Sequence, residues 1–171
     1  MQNYFELFDL ETSFFVDDEA LKKAYQDQVT MFHPDNFVTK SQAVQLQALQ
    51  NTSLVNSAYT TLKTPLNRAS YLLNLENINP FDEKDTNMDA DFLISQIELR
   101  EQLETIKKQQ DSLALDNFIE RVQDFIRDNV ASISEAFTQS PDLQKIKTLV
   151  RELKFYEQLN KEANILMDEW L

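Results

Sequence analysis

The chain of 171 residues contains no glycine, where ordinary usage would supply about 7%. Glycine lets a backbone turn through positive φ without steric cost, and two-residue β-hairpins lean on it. A chain without it is poorly equipped for tight hairpins, so an all-α architecture is expected. The same absence removes some chemistry. Phosphate-cradling loops such as G-x-G-x-x-G and G-x-x-x-x-G-K-[ST] need glycine where backbone approaches phosphate, so neither nucleotide motif is present.

Helical periodicity agrees with that expectation. A short apolar segment, Tyr4 to Leu10, reads as a helical turn packed on the next helix. Asp17 is placed to cap a helix with Asp18 and Glu19 in its first turn, and Leu21, Ala24, Tyr25, Val29 and Phe32 form one stripe. Ser41 is placed to cap a second, long helix to about Leu62, with a stripe expected through Leu46, Leu49, Val55, Tyr59 and Leu62. A short connection makes the two an antiparallel hairpin. Thr64-Pro65 reads as N-cap and first residue of a short helix ending near Leu75. Residues 76–89 break the periodicity, contain Pro80 and are acidic, and read as a linker between domains at 1–75 and 90–171. Three further helices are expected at about 90–109, 112–138 and 141–170, the last starting with Ser140 as N-cap and Pro141 at its first position. Phe118, Val122, Phe125 and Ile133 are its neighbour's expected core residues, and Ile146, Val150, Leu153, Leu166 and Trp170 are its own. Short links make the three an antiparallel bundle.

The connection between the first two long helices is Met31-Phe32-His33-Pro34-Asp35-Asn36-Phe37. Proline disfavours the α region for the residue before it, so the helix should stop near His33. An imidazole, a fixed kink and a carboxylate are then displayed together at the hairpin tip.

Composition excludes most catalytic toolkits. With no cysteine, no disulfide, thiolate nucleophile, zinc finger or cysteine-ligated iron–sulfur cluster can form. His33 is the single histidine, which excludes multi-histidine metal sites. A carboxylate-only Mg²⁺ or Ca²⁺ site is not excluded by counting, although no EF-hand spacing occurs. No cofactor and no resident metal are expected, and an enzyme resting only on acids such as Glu98, Glu101 and Glu104 is a weak reading because no acid/base pair stands out.

Net charge is −13. Residues 1–75 carry eight acids against five bases, a balance of −3, and residues 76–171 carry 21 against 11, a balance of −10. Such a surface repels nucleic acid and anionic lipid and suits a basic protein surface. No apolar run approaches the roughly 18 residues of a spanning helix, and Met1-Gln2-Asn3-Tyr4 lacks the basic start of a signal peptide. The expectation is a cytoplasmic protein with neither nucleic acid nor membrane as partner.

One helix has apolar residues in surplus. At about 100° per residue, Phe92, Leu99, Leu103 and Ile106 gather on one side of the first bundle helix. Leu93, Ile94 and Ile97 gather roughly opposite, in line with Glu101 and Glu104 and flanked by Glu98. A helix in a three-helix bundle cannot bury both sides within it. Phe155 poses the same question, lying about 200° from Leu153. These side chains form either a seam with the N-terminal domain or an acid-rimmed binding patch.

The segment 1–75 resembles a J-domain. The opening Tyr4-Phe5-x-Leu7-Phe8-x-Leu10, the helix to Phe32, His33-Pro34-Asp35 and Asn56-x-Ala58-Tyr59-x-x-Leu62 occur in the family's order and spacing. Three later stretches are similar to HscB-type co-chaperones of iron–sulfur cluster assembly, so the likeness covers essentially the whole chain. They are Pro65-Leu66-x-Arg68-Ala69-x-Tyr71-Leu72-Leu73, Leu93-x-x-Gln96-x-Glu98-Leu99-Arg100-Glu101 and Leu153-Lys154-Phe155. The resemblance implies a J-domain, with its helical hairpin and short flanking helices, followed by a three-helix scaffold-binding domain. It implies that His33, Pro34 and Asp35, with Lys22 and Lys23, bind a DnaK-class chaperone ATPase, HscA in bacteria, and stimulate it. It implies that Leu93, Ile94, Ile97, Glu98, Glu101 and Phe155 bind the cluster scaffold IscU, which favours the patch over the seam. A J-domain adaptor for a different client is the alternative.

The pattern departs from the family at several places. Gln26, Gln28 and Thr30 stand on the helix where J-domains usually carry more bases, and Asn36 follows Asp35 where lysine is frequent. Long-range attraction to the ATPase is therefore expected to be weak. Asp9 stands where the family usually has glycine, and Thr105 where an acid would lengthen the rim.

Overall fold

The computed structural model describes residues 2–85, 88–138 and 140–171, and the chain divides into two units, Met1–Leu75 and Glu76–Leu171. Thr86 and Asn87 of the stretch read as a linker, Met1 of the segment read for a signal peptide, and Gln139 lie outside the described residues.

In the first unit, capping chemistry sets the helix starts. The Asn3 side chain accepts from the Glu6 N–H while the Glu6 carboxylate accepts from the Asn3 N–H, closing a capping box at α1 (Tyr4–Leu7). Asp17 accepts from the Glu19 and Ala20 N–H groups at the head of α2 (Asp18–Phe32). Ser41 does the same for Val44 at α3 (Gln42–Lys63). Pro65 opens α4 (Pro65–Leu75), and the Thr64 hydroxyl accepts from the Asn67 N–H. Between α2 and α3 lies a single 3-10 turn, Pro34–Phe37. α2 and α3 pack as a hairpin around Phe5, Phe8, Leu21, Val55, Ala58 and Leu62. Tyr25 stacks on Tyr59 with centroids 4.1 Å apart, and its hydroxyl donates to Asn56 at 2.7 Å.

The stripe of α3 differs from the expected one. Leu46 and Leu49 are exposed, while Ala48 is buried with Val55, Ala58 and Leu62. On the wheel Leu46 and Leu49 lie well over 100° from that set. Near the hairpin tip α3 buries a small side chain, and the Thr52 hydroxyl donates to the Phe32 carbonyl at 3.1 Å.

In the second unit α5 (Ala90–Gln109), α6 (Ser112–Thr138) and α7 (Leu143–Trp170) form a three-helix bundle, in which α6 and α7 share the most extensive contact. One core cluster joins Leu99, Leu103 and Ile106 of α5 to Phe118 and Val122 of α6 and Leu159 and Leu166 of α7. α7 begins two residues later than expected, because Asp142, accepting from the Lys145 N–H at 3.1 Å, is the cap in place of Ser140. Phe125 is partly exposed against expectation. It sits about 65° from the mean direction of the buried residues of α6 and tilts against Tyr156 at 5.4 Å. Trp170, expected in the core, is only half-buried at its edge.

The stretch before α5 is more than a tether. Pro80 is buried, the Asp85 carboxylate meets the Lys147 ammonium, and the Asp85 carbonyl accepts from Arg151 at 3.0 Å. The Lys154 ammonium stands 4.2 Å from the Phe81 ring centre. Residues 80–85 are therefore fastened along α7.

Candidate functional site

Two surfaces carry the residues singled out by sequence, one on each unit. The first is the corner at His33. The chain leaves α2 there with φ −58° and ψ 133°, the extended geometry required before proline. The His33 Nδ1 accepts from the Asp35 N–H at 3.2 Å, and the His33 carbonyl accepts from the Asn36 N–H at 3.0 Å. Asn36 donates from its side chain to the Thr30 carbonyl at 2.7 Å, tying the turn back to α2. The Asp35 carboxylate lies 3.6 Å from Nδ1, and the side chains of His33 and Asp35 are 53% and 87% exposed. The corner is thus internally braced and outwardly open, a fixed geometry that offers one carboxylate to solvent. Lys22 and Lys23 are exposed on α2 but sit about 15 Å along the helix axis from His33, so they do not share the corner.

The second surface is the outer side of α5. Asp89 caps this helix by accepting from the Asp91 N–H at 3.1 Å. Phe92, Leu99, Leu103 and Ile106 are buried, as the wheel requires, and Leu93, Ile94 and Ile97 are 42%, 53% and 60% exposed. The flanks of α5 are tied down by one arginine each. Arg100 pairs with Glu162 of α7 at 2.5 Å, and Arg121 of α6 donates to Gln102 at 2.7 Å. These ties orient the apolar stripe away from the bundle.

The six expected scaffold residues do not form one cluster. Phe155 is half-buried; it meets Phe92 edge-on at 5.8 Å and lies 5.5 Å below the Arg100 guanidinium. With Leu93 it lines a cleft of about 500 Å³ between Phe81, Asp82, Glu83, Asp85 and Met88 on one side and α5 and α7 on the other. Glu98 and Glu101 line a different groove, between α5 and α6, whose walls include Ile106 and Phe118. Ile94 and Ile97 lie on the ridge.

Periodicity missed Arg68, Arg100 and residues 81–85. Arg68 is buried, donating to the Phe14 carbonyl at 2.7 Å and the Leu62 carbonyl at 2.8 Å. Burial lowers its pKa, and Asp18 pulls it partly back. In the sequence it stood out as the single charged residue of its helix and as part of the stretch that resembles the HscB family.

Two family models match this chain, a DnaJ domain over residues 3–71 and the HSCB C-terminal oligomerisation domain over residues 88–164. Chaperone HscB from Vibrio cholerae is 37% identical, with a TM-score of 0.87 over 99% of this chain and 100% of that one. This chain belongs to the HscB family of J-domain co-chaperones. Human co-chaperone protein HscB is 30% identical, with a TM-score of 0.89 over 96% of this chain and 82% of that one. The Jac1 co-chaperone from Saccharomyces cerevisiae, 24% identical with 96% of each chain covered, shares the fold at a TM-score of 0.76. In this HscB-type chain the corner and its hairpin lie within the DnaJ match, and α5 with most of α7 within the HSCB match. Among the described residues no helix is long and apolar enough to cross a membrane.

Proposed function

We propose that this HscB-type co-chaperone serves iron–sulfur cluster assembly. It binds the scaffold IscU through its second unit, delivers it to the DnaK-class chaperone HscA and stimulates that chaperone's ATP hydrolysis, promoting cluster transfer. The observation that supports this most is the α5 ridge. Leu93, Ile94 and Ile97 are exposed on a helix whose other side is fully used in its own core. A contiguous apolar stripe flanked by Glu98 and Glu101 has the composition of a protein-binding patch with a polar rim.

The chemistry follows from the two surfaces. Asp35 offers a short, exposed carboxylate for a charge-assisted bond to an arginine of the ATPase. Pro34 and the His33–Asp35 and Asn36–Thr30 hydrogen bonds hold that carboxylate in place, lowering the ordering cost of binding. Lys22 and Lys23 add long-range attraction from further along α2. The co-chaperone reaches no atom of ATP. It favours one conformation of the ATPase, with an effect no larger than its difference in affinity between conformations. Carrying the scaffold on the same molecule raises the scaffold's effective concentration at the chaperone.

Single-turnover ATP hydrolysis by the chaperone, with and without scaffold, tests this reading. Asp35→Ala should abolish stimulation while scaffold binding persists; equal stimulation by the variant would refute it. Ile97→Ala with Phe155→Ala should weaken scaffold binding by about 2–4 kcal/mol. An unchanged titration would remove these residues from the interface and leave a different client as the second unit's ligand.

A further inference from the structure

We propose that residues 81–85 form a third wall of the scaffold-binding surface. They receive an apolar side chain of the scaffold between Phe81, Leu93 and Phe155, with a neighbouring scaffold cation set against Asp82 and Glu83. The inference rests on the scaffold reading above and extends it to a stretch that the exposed stripe of α5 does not include.

Geometry carries the argument. The cleft of about 500 Å³ is bounded on one side by Leu93, on its floor by Phe155, and on the far side by Phe81 and Met88. Leu93 therefore belongs both to the exposed ridge and to the cleft, so a partner lying on the ridge meets the cleft mouth without a gap. The far wall is built before any partner arrives. The Asn79 side chain accepts from the Phe81 N–H at 3.0 Å, and Asp82 accepts from the Lys84 and Asp85 N–H groups, at 3.0 Å each. Asp85 meets Lys147 and lies 3.6 Å from Arg151, two bases only 18% exposed. A wall fixed in advance loses little freedom on binding.

Charge selects the occupant. Among the charged groups lining the cleft the acids Asp82, Glu83 and Asp85 outnumber the bases Arg151 and Lys154. Arg151 pairs with Asp85, and Lys154, still charged, lies over the Phe81 ring. The acids Asp82 and Glu83 are exposed at its rim. An apolar floor under an acidic rim suits an apolar side chain next to lysine or arginine. It disfavours an acidic peptide.

The test titrates purified scaffold into the two-unit chain and its Phe81→Ala, Glu83→Lys and Ile97→Ala variants, with thermal unfolding recorded for each. Glu83→Lys should weaken binding about tenfold at an unchanged unfolding temperature, since Glu83 is exposed. Phe81→Ala should weaken it by at least as much, and neither should alter ATPase stimulation measured without scaffold. Full binding by Glu83→Lys beside weakened binding by Ile97→Ala overturns the third wall and leaves the ridge intact. The same holds if Phe81→Ala and Ile97→Ala are weakened, Glu83→Lys binds fully and the Phe81→Ala unfolding temperature falls, because loosening of the segment then accounts for the Phe81→Ala loss. Full binding by all three variants overturns the scaffold reading itself.

Discussion

Gln110 carries the clearest residue-scale cost of a chain without glycine. Among the described residues Asp9, Asn77 and Gln110 have positive φ, at 54°, 60° and 52°. Asp and Asn tolerate this region through local hydrogen bonding, whereas a glutamine bears the steric cost of its Cβ. Gln110 does so to close α5. Its N–H bonds the Lys107 carbonyl at 3.3 Å, and the Asp111 N–H reaches the Ile106 carbonyl at 3.4 Å, the paired bonds of a Schellman ending. Gln110→Gly should therefore stabilise the protein by about 0.5–1 kcal/mol, read as a higher urea midpoint at unchanged slope. Arg68 is the opposite case, a buried cation that satisfies two carbonyls from distant parts of the unit, Phe14 and Leu62. Arg68→Met keeps bulk but strands both acceptors and should cost about 2–4 kcal/mol. An unchanged urea midpoint would show that water replaces the guanidinium.

At the scale of elements, α7 carries two carboxyls in costly positions. Burial raises the pKa of Glu157, and burial first and Asp89 second raise that of Glu152. A folded pKa above the unfolded one means that the native state binds the extra proton. That contribution is fully present below the ordinary carboxylate pKa and is lost as pH rises through the raised value. Deprotonating either group therefore costs the native state stability. Glu152→Gln should accordingly raise the unfolding temperature at pH ~7, with the gain shrinking toward pH ~4. A pH-independent difference would assign the effect to packing. The same helix explains the docking of residues 80–85, since Lys147, Arg151 and Lys154 project from one flank and meet Asp85 and Phe81 there.

At the scale of the molecule, charge is divided unevenly, −3 over residues 1–75 and −10 over residues 76–171. Partner steering should follow that division. Scaffold association should slow on the order of tenfold between low and physiological salt, because exposed acids steer a basic partner through a screened field. Stimulation of the ATPase without scaffold should change far less. Stopped-flow association and single-turnover hydrolysis across a salt series check the contrast, and equal salt slopes would contradict it.

Local rules made much of this protein readable from its residues. Asp17, Ser41 and Thr64 cap the helices they were expected to cap, and proline after His33 ends α2 where steric exclusion demands. That Leu93, Ile94 and Ile97 are in surplus followed from counting at helical spacing, because one helix cannot bury two opposite sides in its own bundle. Counting left a seam and a patch both open, the resemblance favoured the patch, and the three are exposed. The exposure of Leu46 and Leu49 was legible too, since both lie off the line of Val55, Ala58 and Leu62 on the wheel. Other features depended on which surfaces meet. Residues 80–85 read as a break because their partners, Lys147 and Arg151, stand far along the chain on α7. Likewise no periodicity could announce that Phe155 would lie half-buried under Arg100, in one cleft with Leu93 and Phe81. Spacing along a chain sets which way side chains point; only packing sets what they point at.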